Sequence, residues 1–262
     1  MRYLDVGGLR IAYRRAGHGQ GVVLLHGGLS DGREWRKQLE GLCDEFDVVA
    51  WDAPGCGGSS DPEDSFRLPD YADVLAAFID ALELGHPHVV GLSFGAGLAL
   101  ELYRRHPQLP ASLVLASAYA GWAGSLPPDV VEERLQAVLR QAVLPPDEVV
   151  AESLHSLFAG LPSSDVVNEV ASIMRDFHPA GVRTMGHSFA EADLRDVLPR
   201  IQVPTLLLYG DSDLRSSLSV AEGLHAAIPH STLVVLEGVG HQSNIEAADR
   251  FNAELRSFLK RT

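Results

Sequence analysis

Residues 89–97 read Val-Val-Gly-Leu-Ser-Phe-Gly-Ala-Gly, and few folds accommodate such a stretch. An apolar run climbs into Gly91, Ser93 stands at the centre, and small residues lead into a helical pattern from Leu98 to Arg105. This is G-x-S-x-G between a strand and a helix, the context in which the pattern has a mechanical meaning. The turn strains the serine backbone, and only small neighbours let strand and helix come together, which Gly91 and Gly95 permit. The Ser93 side chain then stands exposed at the carboxyl end of a sheet, with the Phe94 N–H directed at the same spot. Glycine and serine are common enough for a chance match; the flanking strand and helix argue against one.

The rest of the chain supplies a matching framework. Residues 2–6 and 9–15 read as strands joined by Gly7-Gly8, a hairpin signal. Val22–Leu25 and Phe46–Trp51 are short, wholly apolar runs, as expected of strands buried on both faces. Helical spacing over Glu34–Cys43 puts Trp35, Leu39 and Leu42 on one side. After a breaker-rich loop, Asp52 to Ser60, Asp70 is placed to cap a helix running to Leu84, with Val74, Leu75, Phe78, Ile79 and Leu82 as its buried stripe. Ser112–Ala116 is the next strand. Strands alternating with helices imply parallel pairing through right-handed crossovers.

The alternation stops after Ala120. From Trp122 to Asp193 the sequence shows helical segments punctuated by prolines, at Pro128–Leu144, Pro146–Phe158, Asp165–Phe177 and Ala180–Ala192. It resumes with a strand at Thr205–Tyr209, a helix at Ser219–Ile228, a strand at Thr232–Leu236 and a closing helix at Ala247–Leu259. The expectation is an α/β core from residues 1–121 and 194–262, a mostly parallel central sheet flanked by helices. An all-helical insertion, residues 122–193, would lie over the carboxyl edge as a cap.

A serine hydroxyl is a weak nucleophile until a base takes its proton, and that base needs a carboxylate to orient it. Of the 11 histidines, His241 alone follows a late core strand and precedes a helix, on a loop made tight by Gly238 and Gly240. His26 ends an earlier strand and reads as a loop brace. Two aspartates follow the strand that ends at Tyr209. Asp211 could serve a turn; Asp213, further along, is better placed to curl back toward the histidine. An oxyanion needs backbone N–H donors. Phe94 offers one, and the loop His26-Gly27-Gly28-Leu29 offers another from Gly28, with Leu29 the alternative.

Taken together, His26-Gly27-Gly28, Asp52-x-Pro54-Gly55-x-Gly57-x-Ser59, Gly91-x-Ser93-x-Gly95, Gly210-x-x-Asp213 and Gly240-His241 resemble the α/β-hydrolase fold superfamily over nearly the whole chain. The capped arrangement is similar to small serine hydrolases of the esterase, C–C bond hydrolase and perhydrolase type. That resemblance selects Asp213 as the acid. It implies Ser93, Asp213 and His241 as catalytic residues and the N–H groups of Gly28 and Phe94 as the oxyanion hole. Serine rather than aspartate at the nucleophile position departs from haloalkane dehalogenases and epoxide hydrolases. For the pocket, Leu29 and the aromatic and methionine residues of the insertion, Trp122, Phe158, Met174, Phe177, Met185 and Phe189, are candidates to contact substrate. His155, His178, His187 and Ser188 are its polar candidates.

Bulk properties narrow the partners to a small-molecule substrate. With 262 residues, 46% hydrophobic and 21% charged, the chain can bury a large core. Its formal net charge of -14 is unsuited to nucleic acid or to an anionic membrane. The opening residues carry no apolar leader, and no apolar run reaches the roughly 18 residues of a membrane span, so a soluble cytoplasmic protein is expected. Monomer and dimer are both open. Cys43 and Cys56 match no disulfide framework or metal motif. Gly55-Cys56-Gly57-Gly58 lacks a following lysine, and no G-x-G-x-x-G opens a helix, so no cofactor or metal is expected. Ester hydrolysis is the leading reading. Vinylogous diketone cleavage or peroxyacid formation on the same residues, and a non-enzymatic ligand-binding protein, are the alternatives.

Overall fold

The computed structural model describes residues 1–160 and 162–262. Among them, an eight-stranded sheet is built from β1 (Arg2–Val6), β2 (Leu9–Ala16), β3 (Gln20–Leu25), β4 (Phe46–Trp51), β5 (His88–Leu92), β6 (Ser112–Ala116), β7 (Thr205–Gly210) and β8 (Thr232–Leu236). The spatial order is β1-β2-β4-β3-β5-β6-β7-β8. The first two pairings, β1 with β2 and β2 with β4, are antiparallel. Every later one is parallel. Gly7 and Gly8, at φ 57° and 83°, supply the two positive-φ positions that a tight hairpin turn requires.

The central stretches of β3 to β7, such as Val22–Leu25 and Val48–Trp51, are apolar because both of their faces are covered. Alternate side chains feed opposite layers, as the pleat dictates. Val23, Leu25, Val49, Trp51, Leu115 and Tyr209 belong to one layer. Val22, Leu24, Val48, Ala50, Val114 and Leu208 belong to the other. Each such valine or leucine contributes about 1.5–3 kcal/mol by leaving water. Helix α1 (Arg36–Leu42) follows a short 3₁₀ turn at Gly32–Trp35, so the segment that reads as one helix from Glu34 to Cys43 is divided in two. Helices α2 (Leu68–Ala81) and α3 (Phe94–Arg105) pack against the first layer. Asp70 is not the cap of α2. Arg67 holds that place, and Asp70 sits in the first turn with its carboxylate accepting the Arg67 N–H at 2.8 Å. The helix therefore starts two residues before Asp70.

Between β6 and β7 the chain runs through α4 (Pro128–Gln141), α5 (Pro146–Ser153), α6 (Ser164–Arg175) and α7 (Pro179–Glu191). Prolines open α4, α5 and α7, where a missing N–H costs nothing and the fixed φ suits the helix. Helices α5 and α6 form a small core of their own around Val149, Val170 and Met174. Helix α7 instead joins the main core through Met185 and Phe189. The chain closes with α8 (Leu218–Ala227), a single-turn helix α9 (Ser243–Glu246) and α10 (Ala248–Leu259). Among the described residues, no helix is long and apolar enough to cross a membrane.

Candidate active site

Ser93 sits between β5 and α3 at φ 53°, ψ -109°, a conformation that costs an L-residue of order 1–3 kcal/mol. Its surroundings hold it there. Its N–H donates to Ala116 O at 2.9 Å, and its carbonyl accepts from Ala96 and Gly97. Glycine is obligatory on both sides: a Cβ on Gly91 would lie 2.2 Å from Gly95 O, and one on Gly95 would lie 2.1 Å from Leu25 O. The ring of Phe189, brought by α7, lies against the same turn, 5.6 Å from the Phe94 ring centroid.

His241 follows β8 on a loop tied from several directions. Ser117 Oγ donates to its carbonyl at 3.0 Å, Gly240 N–H donates to Glu246 Oε2 at 2.6 Å, and Gln242 N–H donates to Leu157 O at 3.0 Å. Its Nδ1 lies 2.8 and 3.0 Å from the two carboxylate oxygens of Asp213. A carboxylate can only accept, so Nδ1 carries the hydrogen and Nε2 is the basic nitrogen. Asp213 also accepts the N–H groups of Arg215 and Ser216, at 2.8 and 2.9 Å. Burial would push its carboxyl up. The His241 hydrogen bond and charge, with the two N–H donors, outweigh that and hold it below the ordinary range. Burial pulls His241 below the usual histidine value, against the upward influence of Asp213. Asp211 is exposed and faces elsewhere, accepting the Gly238 N–H at 2.8 Å.

Ser93 and His241 share the wall of a cavity of about 110 Å³ with Gly27, Gly28, Leu29 and Phe94. Among the described residues no hydrogen bond joins the serine hydroxyl to the imidazole, a contact that commonly tightens only when substrate binds. Among the described residues, the N–H groups of Gly28, Leu29 and Phe94 have no partner. Gly28 faces open space, with nothing within 4 Å of where a Cβ would sit. The loop is braced from behind. His26 Nε2 accepts the Ala53 N–H at 3.0 Å, its Nδ1 meets Gly27 O at 2.8 Å, and Glu34 Oε1 accepts the Gly27 N–H at 3.0 Å. Glu34 is buried, and burial raises its pKa to about 8.

Residues 22–254 match the alpha/beta hydrolase family. The chain belongs to this family. Among curated relatives, it is 30% identical over 98% of its length to the dihydrolipoyllysine-residue acetyltransferase component of an acetoin cleaving system from Cupriavidus necator, covering 68% of that protein. It is 26% identical to 3-oxoadipate enol-lactonase 2 of Acinetobacter baylyi, over 87% of this chain and 84% of the other. Among solved structures, a thermophilic esterase from Thermogutta terrifontis superposes with a TM-score of 0.91 at 27% identity, over 100% and 99% of the two chains. Membership makes this chain a hydrolase; the bond it cleaves is a separate question.

Within this alpha/beta hydrolase, the structure brings Leu29, Trp122, Met185 and Phe189 to the cavity wall, but not Phe158. After α5 a 3₁₀ turn at Leu154–Ser156 redirects the chain. Phe158 is buried with Val149, Val170 and Met174, and Leu157 takes its place on the wall. Of the polar candidates, His155, His178, His187 and Ser188 do not line this cavity. His178 instead meets Asp61 on the surface at 2.6 Å. Arg215, Gln141 and Gln242 do line it and have no sequence signal of their own. Arg215, two residues beyond Asp213, and Gln242, next to His241, have a positional hint.

Proposed function

We propose that this hydrolase cleaves carboxylic esters of small or medium-sized substrates through an acyl-enzyme intermediate. One observation carries the reading: an imidazole whose Nδ1 is held by a buried carboxylate opens, with a serine on a strained turn, onto one cavity. In the proposed sequence, Ser93 Oγ attacks the ester carbonyl carbon while His241 Nε2 takes the hydroxyl proton. Asp213 keeps the imidazole in the productive tautomer and stabilises its charged form. The N–H groups of Phe94 and Gly28 stabilise the tetrahedral oxyanion. The C–O bond to the alcohol breaks as Nε2 returns the proton to the leaving oxygen. Water then attacks the acyl carbon by the same route and frees Ser93.

The enol-lactonase and esterase relatives support ester chemistry, since a lactone is a cyclic ester. The proposed role of residues 122–193 is that of a cap, because α4 and α7 contribute Val138, Gln141, Met185 and Phe189 to the wall. The cavity volume of about 110 Å³ favours small and medium-sized acyl groups over long ones.

The experiment is fluorophosphonate labelling followed by hydrolysis of esters of graded acyl length. Wild type should label at Ser93 and turn over short esters. Ser93→Ala should fold with an unchanged circular dichroism spectrum and lose both. Retained turnover in that variant would remove Ser93 from the mechanism. A vinylogous diketone in the same panel tests C–C cleavage.

A further inference from the structure

Arg215 lines the reaction cavity, and among the described residues it forms no ion pair. Its Nε donates to Ser156 Oγ at 2.9 Å and one terminal nitrogen reaches Ser153 O at 3.3 Å, both neutral groups. Among the described residues its other terminal nitrogen has no hydrogen-bond partner, and the guanidinium forms no ion pair. Asp213 is close in the chain, but its oxygens are taken by His241 and by the N–H groups of Arg215 and Ser216. A second cation stands behind the first. Arg134 donates to the Tyr119 hydroxyl at 2.9 Å and to Arg215 O at 3.0 Å, and its guanidinium lies over the Tyr119 and Trp122 rings. It too forms no ion pair among the described residues.

This is unusual for the molecule. Acidic residues number 35 against 21 basic ones, and other half-buried arginines have taken a carboxylate: Arg14 pairs with Asp52, Arg15 with Asp47 and Arg33 with Asp31. Removing a guanidinium from water without an anion is unfavourable. Burial accordingly lowers the pKa of Arg215. A planar fork with an open nitrogen on a cavity wall matches a carboxylate geometrically and electrically.

We propose that Arg215 binds a carboxylate of the substrate, so that the preferred esters or lactones carry a free acid group on a short chain, with Arg134 positioning Arg215 through its carbonyl. The proposal rests on the ester-hydrolase reading of the same cavity. A purely structural role for Arg215, clamping the turn at Ser153–Ser156 to the loop after β7, would affect charged and neutral substrates alike.

The test compares monomethyl glutarate with methyl pentanoate, which differ in the terminal carboxylate. Wild type should favour the charged ester in kcat/KM by at least tenfold. In Arg215→Met that preference ratio should fall at least tenfold, chiefly through KM for the charged ester, and Arg215→Lys should restore part of it. The ratio cancels any loss of active protein common to both substrates. Equal kcat/KM values in wild type, or a ratio unmoved in the methionine variant, would overturn the proposal. If the methionine variant does not fold, the wild-type ratio and the lysine variant decide. Failure of the ester-hydrolase reading shows separately, as absent fluorophosphonate labelling with neither ester turned over. Carboxylate binding is then read from the rise in Tm with glutarate against glutaramide, which should be confined to the carboxylate and lost in Arg215→Met; equal shifts would overturn it.

Discussion

Both carboxylate oxygens of Asp213 lie within 3.0 Å of His241 Nδ1, whereas Asp211, two residues earlier, turns outward to the Gly238 N–H. Asp213→Asn would replace an obligate acceptor with a group that can present N–H to Nδ1, favouring the wrong imidazole tautomer. We expect turnover to fall by about 10⁴-fold, with far-UV circular dichroism unchanged. Asp211→Asn keeps an acceptor for the turn and should change kcat/KM by no more than a few-fold. The reverse ranking would move the acid to Asp211.

Burial lowers the pKa of His241. In the proposed mechanism the base form is the neutral imidazole, so activity should be present above the folded-state pKa and lost as pH falls through it. The acidic limb of kcat/KM against pH should therefore lie below 6.5, the ordinary histidine value. A limb above 6.5, measured with a substrate that does not itself titrate, would show that the carboxylate outweighs burial.

Glu34 braces the Gly27 N–H from a buried position, and burial raises its pKa from 4.5 to about 8. Between those values the folded chain holds a proton that the unfolded chain releases. Stability must then decrease as pH rises across that window, by up to about 1.4 kcal/mol per unit. Glu34→Gln removes the titration while keeping an acceptor for Gly27. Urea denaturation at pH 5 and pH 8.5 should show the variant losing less stability than wild type between the two. Parallel losses would mean that Glu34 does not titrate there.

Two site glycines should respond oppositely to a methyl group. A Cβ on Gly95 would stand 2.1 Å from Leu25 O, a backbone atom that cannot move without shifting β3. Gly95→Ala should cost about 3 kcal/mol or more, or prevent folding. Gly28→Ala meets nothing within 4 Å and should leave the urea midpoint nearly unchanged. Its methyl group enters the cavity, so KM should rise for the longer esters of the panel.

The pattern that was legible in the sequence is the one imposed by burial. Strands β3 to β7 are covered on both faces, so Val22–Leu25 or Val89-Val90 can be read as strands without knowledge of their neighbours. The single turn of α9 is too short to carry a periodic signal, and the division of Glu34–Cys43 into a 3₁₀ turn and α1 leaves the same apolar spacing as one helix. Within residues 122–193 the helices are visible from their prolines, but their facing is not. Phe158 and Leu157 are adjacent apolar residues buried in one cluster with Met174, yet Leu157 also reaches the cavity and Phe158 does not.

By itself, then, the sequence determined that Ser93 must occupy a strained strand-to-helix turn, because Gly91 and Gly95 would not otherwise be needed there, and it narrowed the partners to a late histidine and a loop of two aspartates. Tertiary structure decided which aspartate carboxylate faces the imidazole, which residues of the helical segment line the cavity, and that Arg215 lines it with no ion pair among the described residues. The physical reason is range. Strand burial and turn strain are written into neighbouring residues, whereas charge pairing and cavity shape depend on segments far apart in the chain, such as Ser156 and Arg215 or Leu157 and Gln242, that meet only when the sheet and the helices beyond it have packed.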